Sequence, residues 1–247
     1  MNSVPRLLEI NPKLDRGQLA RRFGKDKRLQ IRDVLTESSA RRIAELLERR
    51  TPWGLCWNAG TDGPHRLRAE QAHALAPEQM KAMMQKVAHA TRAGHFSFLY
   101  SQYLMHDAQV LGWSQSPDHD ALVGDLNDEP FLGLMRDISG IRGLEWADSQ
   151  ATLYGPGQFL TLHQDVDAAE GDGRRIAYVL NFCTADWRPD WGGYLNFYDK
   201  EGDVVCGYKP RFNSLNMFLV PQDHNVGFVP GFAPNARFAI TGWVRDK

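Results

Sequence analysis

The chain has 247 residues, of which 43% are hydrophobic and 24% charged, and its formal net charge is −1. This length is ample for one large core, and the even charge balance argues against capture of nucleic acid or of an anionic membrane by bulk electrostatics. No apolar run of about 18 residues occurs, and residues 1–15 lack the apolar segment of a secretory signal, so we expect neither a membrane span nor secretion.

Strands and a helix are predicted at the start of the chain. Residues 29–31 predict an edge strand, and Thr36 is a good N-cap for a helix that runs to Arg50. Residues 51–57 then predict a strand with two tryptophans, which we expect to pack in the core, with substrate stacking as the alternative.

Residues 77–93 are the clearest helix, with a proline in the first turn and Gly94 just past the end. Its expected buried face consists of Met80, Met83, Met84 and Val87. The alternating residues 96–100 predict a strand.

A polar, aspartate-rich stretch follows. Residues 106–129 contain a Ser-Pro pair and predict a mobile loop or lid over a site. Residues 130–138 predict a short helix closed by Gly140.

From residue 146 onward the pattern changes to short strands separated by glycine and proline, which is typical of an antiparallel jelly roll. We therefore predict an α+β fold, with N-terminal helices packed on a double-stranded β-helix core. The chain would form a single domain over residues 1–247, with helical support and a lid in 1–145 and the jelly-roll core in 146–247.

The cysteines are odd in number and widely spaced, at Cys56, Cys183 and Cys206. None is part of a Cys-x-x-Cys pair, so a structural zinc site has no support. Free thiols of this kind are typical of a reducing cytoplasm.

The most informative residues lie in the last third of the chain. His163 and Asp165 follow an apolar run that predicts a strand over residues 160–165, and residues two apart on a strand point to the same face. This is the only His-x-Asp in the chain, and His224 follows at the edge of another predicted strand. Two imidazoles and one carboxylate on one side of a metal form the facial triad of non-heme Fe(II) oxygenases, which leaves three coordination positions open.

Arg237 opens the final predicted strand and offers a planar fork suited to a carboxylate. Strand alternation places Thr241 and Trp243 on the same face as Arg237, so we expect both to border the same pocket. A metal triad with a carboxylate clamp is what an oxidation driven by 2-oxoglutarate requires.

Further segments accompany these residues in a fixed order. They are Tyr-Gly-Pro-Gly-Gln-Phe at 154–159, residues 171–181, Asp-Trp at 186–187, Asp-Trp-Gly-Gly-Tyr-Leu at 190–195, and the final strand 237–243. With the His-x-Asp pair and the late histidine, this order resembles the prolyl-hydroxylase branch of the Fe(II)/2-oxoglutarate-dependent dioxygenases. The strand before the metal pair departs from the branch, since Leu160 stands where a tyrosine is frequent.

The resemblance implies Fe(II) held by the two histidines and the aspartate, with 2-oxoglutarate and O2 as co-substrates and ascorbate left open as an accessory reductant. The distal carboxylate of 2-oxoglutarate would pair with Arg237. Tyr154 is expected to add a hydroxyl to the pocket, with simple core packing as the alternative. Asn181 falls where the branch commonly has a tyrosine that supports this carboxylate, and its shorter amide would take that place.

The resemblance favours hydroxylation of a prolyl residue in a cytosolic protein, without a nucleic-acid or membrane partner. One alternative is a hydroxylase of a free amino acid or small metabolite, which needs a further anchor for a carboxylate, and Arg174 and Arg175 are the candidates. Another is a non-catalytic, metal-bearing peptide-binding module in which Asn181 marks decay.

Overall fold

The computed structural model describes residues 6–114, 116–165 and 173–246. The predicted segment 171–181 is therefore described from residue 173. Within these ranges, seven α-helices and one 3-10 turn, Pro189–Trp191, accompany thirteen strands. The helices are α1 (Arg16–Asp26), α2 (Glu37–Arg49), α3 (Ala69–His73), α4 (Pro77–Arg92), α5 (Met105–Val110), α6 (Pro117–Leu126) and α7 (Glu129–Ser139).

The strands are short and bounded by glycine, proline and asparagine. They are β1 (Arg28–Arg32), β2 (Gly54–Ala59), β3 (Asp62–Leu67), β4 (Ser97–Tyr103), β5 (Trp146–Ala147), β6 (Gln150–Tyr154), β7 (Phe159–His163), β8 (Arg174–Asn181), β9 (Leu195–Tyr198), β10 (Val204–Tyr208), β11 (Ser214–Leu219), β12 (His224–Val226) and β13 (Arg237–Arg245).

The strands pair antiparallel in the order β1-β11-β8-β13-β6-β4-β7-β12-β9-β10. The β2–β3 hairpin joins the edge of β4, and β5 pairs with the end of β13. This near-closed, barrel-like sheet with N-terminal helices is the double-stranded β-helix arrangement, so the predicted α+β fold class is confirmed. Among the described residues, no helix has both the length and the apolar character needed to cross a bilayer.

Alternation along β13 separates the two sides of the sheet. Ile240 and Val244 are fully buried in the main core, where residues of α2, α6 and α7 pack against the sheet. Arg237, Thr241 and Trp243 point the other way and line a cavity inside the barrel. The helices therefore form one layer over the sheet, and the opposite face remains available for a site.

Most elements predicted in the first half are confirmed. Thr36 caps α2 by accepting a hydrogen bond from the backbone N–H of Ser39. β1 is an edge strand that pairs only with β11. Trp57 is buried and stacks on His65, with 4.0 Å between the ring centroids, so core packing accounts for it.

Three expectations are corrected. The sheet begins before residue 146, because β1 to β4 belong to it, so the support region contributes strands as well as helices. Met84 is half exposed, since the buried face of α4 is narrower than predicted and centres on Met83 and Val87.

The mobile loop predicted over residues 106–129 is also wrong, because this stretch forms most of α5 and all of α6, although His106 and Asp107 do line the cavity. Ser116 is the N-cap of α6 and accepts from the backbone N–H of His119, with a proline in the first turn. The apolar face of α6 is buried in the main core through Leu122, Val123 and Leu126.

His119 is fully buried at the start of α6 and hydrogen-bonded at both ring nitrogens. Its Nε2 lies 3.0 Å from the Thr51 hydroxyl and its Nδ1 lies 2.6 Å from the Ser116 hydroxyl. The Thr51 hydroxyl donates to the carbonyl of Leu46, so it accepts from His119 Nε2–H, and Nδ1 accepts from Ser116. Burial lowers the pKa of His119 from 6.5 to about 4.

We therefore expect acid to destabilise the protein through His119. The unfolded chain binds this proton below pH 6.5 and the folded chain only near pH 4, so stability falls as the pH drops through that window. A pKa shift of this size corresponds to a loss of roughly 3 kcal/mol in the free energy of unfolding. Urea unfolding at pH 7 and at pH 4 measures this loss. His119→Gln, which keeps a hydrogen-bonding amide but does not titrate, should lose less stability, and equal losses in the two proteins would contradict the assignment.

Candidate metal centre and co-substrate pocket

Two neighbouring strands bring the predicted metal ligands together. β7 ends at His163 and β12 begins at His224, and the two histidines are paired across the strands. Asp165 lies two residues beyond the end of β7, so the strand is shorter than predicted but its direction still carries the carboxylate to the same place.

The three side chains form a compact group. Asp165 lies 3.5 Å from Nε2 of His163 through one carboxylate oxygen and 3.5 Å from Nε2 of His224 through the other. One ligand atom from each residue lies within 4.8 Å of the others. Among the described residues, this is the one such group of three histidine, cysteine or acidic side chains that could hold a metal ion.

Backbone carbonyls fix the orientation of both imidazoles. Nδ1 of His163 lies 2.9 Å from the carbonyl of Thr161, and Nδ1 of His224 lies 2.8 Å from the carbonyl of Gln222. Each Nδ1 therefore carries the proton and donates it, which leaves the Nε2 lone pair directed at the shared centre. A histidine that binds a metal through Nε2 requires this tautomer.

The electrostatics favour the ligating protonation states. Burial lowers the pKa of His224 and outweighs the opposing effect of Asp165. Burial alone would raise the pKa of Asp165, but the neighbouring His163 and His224 lower it overall. A neutral imidazole beside an ionised carboxylate is the donor set that a divalent cation needs.

Arg237 provides an unusual charge deeper in the same cavity. It is 2% exposed, and its guanidinium donates to the carbonyl of Gly193 at 3.2 Å and to the amide oxygen of Asn181 at 3.3 Å. The ring of Tyr154 lies 5.4 Å from its Cζ atom. No carboxylate of the described residues forms an ion pair with it, although burial of an unpaired cation is costly. Burial lowers the pKa of Arg237. The pocket is therefore prepared for an anion.

The Gly-Gly pair of the sequence explains part of this geometry. A Cβ atom on Gly192 would lie 1.9 Å from the carbonyl oxygen of Phe228, so only glycine fits there. The carbonyl of Gly192 accepts from the indole of Trp187, and that of Gly193 accepts from Arg237. The tight turn thus presents a carbonyl to the guanidinium.

The remaining predicted site residues are placed as follows. Tyr154, Thr241 and Trp243 line the same cavity of about 560 Å³ as the metal group and Arg237. Asn181 does not line it, because its side chain is fully buried behind Arg237. Its amide nitrogen donates to the Val179 carbonyl and the Ser214 hydroxyl, so both ends of the amide are engaged within the protein.

One face of β4 forms a wall of the cavity that the sequence analysis did not include. Phe96, Phe98, Tyr100 and Leu104 occur at every second or fourth position and line the cavity together. Phe96 lies beside the metal group, 5.4 Å from the ring of His163, and Tyr100 stacks on Tyr154 at 5.0 Å. The Phe-x-Phe-x-Tyr alternation in the sequence was the available signal.

The residues fit an Fe(II) ion and a dicarboxylate. The imidazole and carboxylate donors lie close together, as a facial triad requires, and the buried Arg237 has no anionic partner among the described residues. 2-Oxoglutarate supplies a chelating 2-oxo acid at one end and a carboxylate at the other.

Comparison with known proteins agrees with this donor set. Residues 149–245 match the model of the 2OG-Fe(II) oxygenase superfamily, a range that contains the triad and Arg237. This segment, which is less than half of the chain, is similar to the 2OG-Fe(II) oxygenase superfamily. The 2OG-Fe(II) oxygenases use iron and 2-oxoglutarate, so both are implied here. No curated protein matches the chain in sequence.

Solved structures share the fold at low sequence identity. A prolyl-4-hydroxylase from Pseudomonas putida is 18% identical, with 96% of this chain and 94% of that chain covered and a TM-score of 0.56. An oxidoreductase of the 2OG-Fe(II) oxygenase family from Burkholderia pseudomallei is 13% identical, with 97% and 95% covered and a TM-score of 0.57. A prolyl 4-hydroxylase from Phytophthora capsici is 13% identical, with 98% and 69% covered and a TM-score of 0.52.

Proposed function

We propose that the protein is a 2OG-Fe(II) oxygenase that hydroxylates a prolyl residue within a polypeptide. The observation that carries the proposal is the row of cavity-lining side chains along β4. The row runs from Phe96, beside the metal group, to Leu104. Eight residue steps of extended chain span about 26 Å, at roughly 3.3 Å per residue, which is the reach of an extended peptide rather than of one amino acid.

In the proposed site, His163, Asp165 and His224 hold the iron, and Arg237 pairs with the distal carboxylate of 2-oxoglutarate. When bound, the iron with its co-substrates supplies the oxidising chemistry that inserts one oxygen atom into a C–H bond, with succinate and CO2 as co-products. The carbonyls of Thr161 and Gln222 hold the protons of the two imidazoles away from the metal.

We assign Asn181 a positioning role instead of direct contact with 2-oxoglutarate. Its amide oxygen accepts from Nε and Nη2 of Arg237, at 3.4 Å and 3.3 Å, and it faces Ala239 across the β8–β13 pairing. Asn181 therefore fixes the orientation of the guanidinium through hydrogen bonds. This role argues against the idea that Asn181 marks a decayed, non-catalytic module.

Aromatic side chains complete the cavity around the reacting carbon. Thr241 and Trp243 from β13 line the same cavity as Phe98 and Tyr100 from β4. Asp148, which also lines it, is neutralised by Arg245 at 2.8 Å and accepts from the backbone N–H of Trp243 at 2.7 Å. The aromatic part of this surface suits the proline ring, whose fixed φ also lowers the entropy lost on binding.

A free amino acid is the second candidate substrate, and one observation favours it. Arg174 lines the same cavity and stacks on Trp243, with its Cζ atom 4.2 Å from the ring centroid. A guanidinium fixed at this place matches the carboxylate of an amino acid. Arg175 is less suitable because it is exposed and forms an ion pair with Asp246.

A competition experiment distinguishes the two substrate classes. The protein, supplied with Fe(II) and 2-oxoglutarate, is offered free L-proline and a set of prolyl peptides at equal concentrations, and mass spectrometry detects products heavier by one oxygen atom. We expect hydroxylated peptides and unchanged proline. Hydroxylation of free proline with inert peptides would contradict the proposal and support the amino-acid enzyme.

We also propose that the protein works in the cytoplasm. All three cysteines are free thiols, and Cys56 and Cys183 are buried. Burial raises the pKa of each of these two thiols to about 11, so they are poor nucleophiles that need no disulfide partner.

A further inference from the structure

The third residue of the metal group, His224, follows a short connection that belongs to no strand. Residues 220–223 link the end of β11 to the start of β12, which has only three residues. Within this connection, the carbonyl of Gln222 accepts from Nδ1–H of His224 at 2.8 Å. The direction of that carbonyl therefore decides how the imidazole is oriented.

The other histidine of the metal group is held differently. His163 donates from Nδ1 to the carbonyl of Thr161, which lies within β7. β7 lies between β4 and β12 in the sheet, and the Thr161 hydroxyl accepts from the backbone N–H of Ser97 at 2.9 Å. Pairing on both sides thus fixes the carbonyl of Thr161, whereas the carbonyl of Gln222 needs another support.

The side chain of Gln222 supplies that support. Its amide nitrogen donates to the carbonyls of Lys27 and Leu219, each at 2.9 Å. Its amide oxygen accepts from Nη1 of Arg28, also at 2.9 Å. Both ends of the amide are therefore engaged within the protein, and the bond from the guanidinium is charge-assisted.

The junction between α1 and β1, to which the amide binds, is itself held in place. Lys27 is the C-cap of α1 and donates from its backbone N–H to the carbonyl of Phe23. Arg28 begins β1, which pairs with β11 from end to end, and its Cζ atom lies 5.1 Å from the ring centroid of Phe197. That ring is fully buried and lies 6.1 Å from the ring of His224. The junction is thus a fixed point close to the metal group.

The contacts of the next residue do not replace the amide of Gln222. The carbonyl of Asp223 accepts from the backbone N–H of Tyr198 at 3.0 Å, and its carboxylate accepts from Gln164 at 2.9 Å. These bonds hold residue 223. The peptide group that bears the Gln222 carbonyl is planar and spans the Cα atoms of residues 222 and 223. Its orientation is therefore set only when residue 222 is held as well.

We propose that Gln222 is the positioning residue for the third metal ligand. Its side chain is bound to the junction between α1 and β1, and its main-chain carbonyl directs the imidazole of His224. The N-terminal helix and strand therefore help to set the geometry of the metal group. The inference rests on the proposed function, in that His224 binds the iron.

The first test examines the metal-free protein. With ¹⁵N-labelled histidine, the ring nitrogen shifts show which nitrogen carries the proton, and the signals are assigned by their loss in His163→Ala and His224→Ala. We expect the Nδ1–H form for both histidines in the wild type. Gln222→Leu should give His224 a mixture of Nδ1–H and Nε2–H forms, because Asp165 lies 3.5 Å from Nε2 and accepts the proton's hydrogen bond there. His163 should not change.

Iron affinity is the second measurement. Loss of a residue that orients a metal ligand typically costs 10–100-fold in affinity, so Gln222→Leu should weaken Fe(II) binding at least about tenfold in anaerobic calorimetric titration. If the leucine variant does not fold, Gln222→Glu gives the same two readouts. Its carboxylate still accepts from Arg28 but cannot donate to the two carbonyls.

Gln30, on β1, offers a matched control. Its amide nitrogen donates to the carbonyl of Lys209 and to the side chain of Asn216, each at 2.9 Å, and its amide oxygen accepts from Nε of Arg211 at 3.1 Å. The number and kind of bonds are the same, but none of these partners belongs to the metal group. Gln30→Leu should therefore lower the melting temperature about as much as Gln222→Leu and leave both readouts unchanged.

Two results would overturn the proposal. One is a pure Nδ1–H form of His224 in Gln222→Leu. The other is an iron affinity of this variant equal to that of Gln30→Leu, because a residue that only stabilises the fold changes the melting temperature alone. A wild-type protein that binds no iron would refute the proposed function instead, and the tautomer of His224 would still decide the role of Gln222.

Discussion

Iron binding and turnover of 2-oxoglutarate are expected to be lost when His163, Asp165 or His224 is replaced by alanine. The three donor atoms form a single group, and removing one leaves two weakly chelating groups around an open site. Loss of a residue that only orients a ligand typically costs 10–100-fold in metal affinity, so loss of the ligand itself should exceed about 100-fold.

Anaerobic calorimetric titration with Fe(II) and the release of CO2 from 2-oxoglutarate measure the two effects. His89→Ala is the control, because this histidine is exposed on α4 and is not part of the metal group. A variant of the triad that retains wild-type iron affinity and turnover would show that the metal, if bound, is held elsewhere.

Arg237→Met is expected to leave iron bound but to lower the affinity for 2-oxoglutarate on the order of 10- to 1,000-fold. This is the binding free energy that a desolvated, charge-assisted pair typically contributes. The unpaired guanidinium in the pocket gains its anion only when the co-substrate binds. For the same reason, 2-oxoglutarate should stabilise the wild-type protein by about 2.7 kcal/mol at a concentration 100 times its Kd. At the same concentration the stabilisation of the variant should fall to about 1.4 kcal/mol for a tenfold loss of affinity, and to nearly zero for a loss of about 1,000-fold.

Thermal unfolding under anaerobic conditions, with and without 2-oxoglutarate, measures this linkage. Arg175→Met, which alters an exposed arginine on the neighbouring strand β8, should respond to 2-oxoglutarate like the wild type. An undiminished response in Arg237→Met would require another cation. Lys209 and Arg211 are poor replacements, because both line a different groove near β1.

The metal group was predictable because each of its ligands can be recognised from a short segment of the sequence. His-x-Asp after an apolar run fixes two ligands, and a strand edge at His224 supplies the third. Arg237 opens the last strand, and alternation alone gives Thr241 and Trp243. These residues need only the period of a strand and the order of the chain, both of which the sequence contains.

Other features depend on pairing between distant segments. The position of Asn181 behind Arg237 follows from the register between β8 and β13, in which Asn181 pairs with Ala239. The lid was predicted over residues 106–129 because aspartates and a Ser-Pro pair are typical of loops. The same residues also begin a helix well, with Ser116 as cap and aspartates in the first turn, and only the buried apolar face of α6 decides between the two.

The placement of Arg237 and of the two histidines of the metal group on strands of one hydrogen-bonded sheet has a consequence for co-substrate choice. These three residues are not carried by loops that could follow a shorter or longer molecule, since β7, β12 and β13 are tied to their neighbours by backbone pairing. The distance between the metal-binding histidines and the guanidinium is therefore set by the sheet. We therefore expect 2-oxo diacids one methylene shorter or longer to bind less tightly than the five-carbon acid.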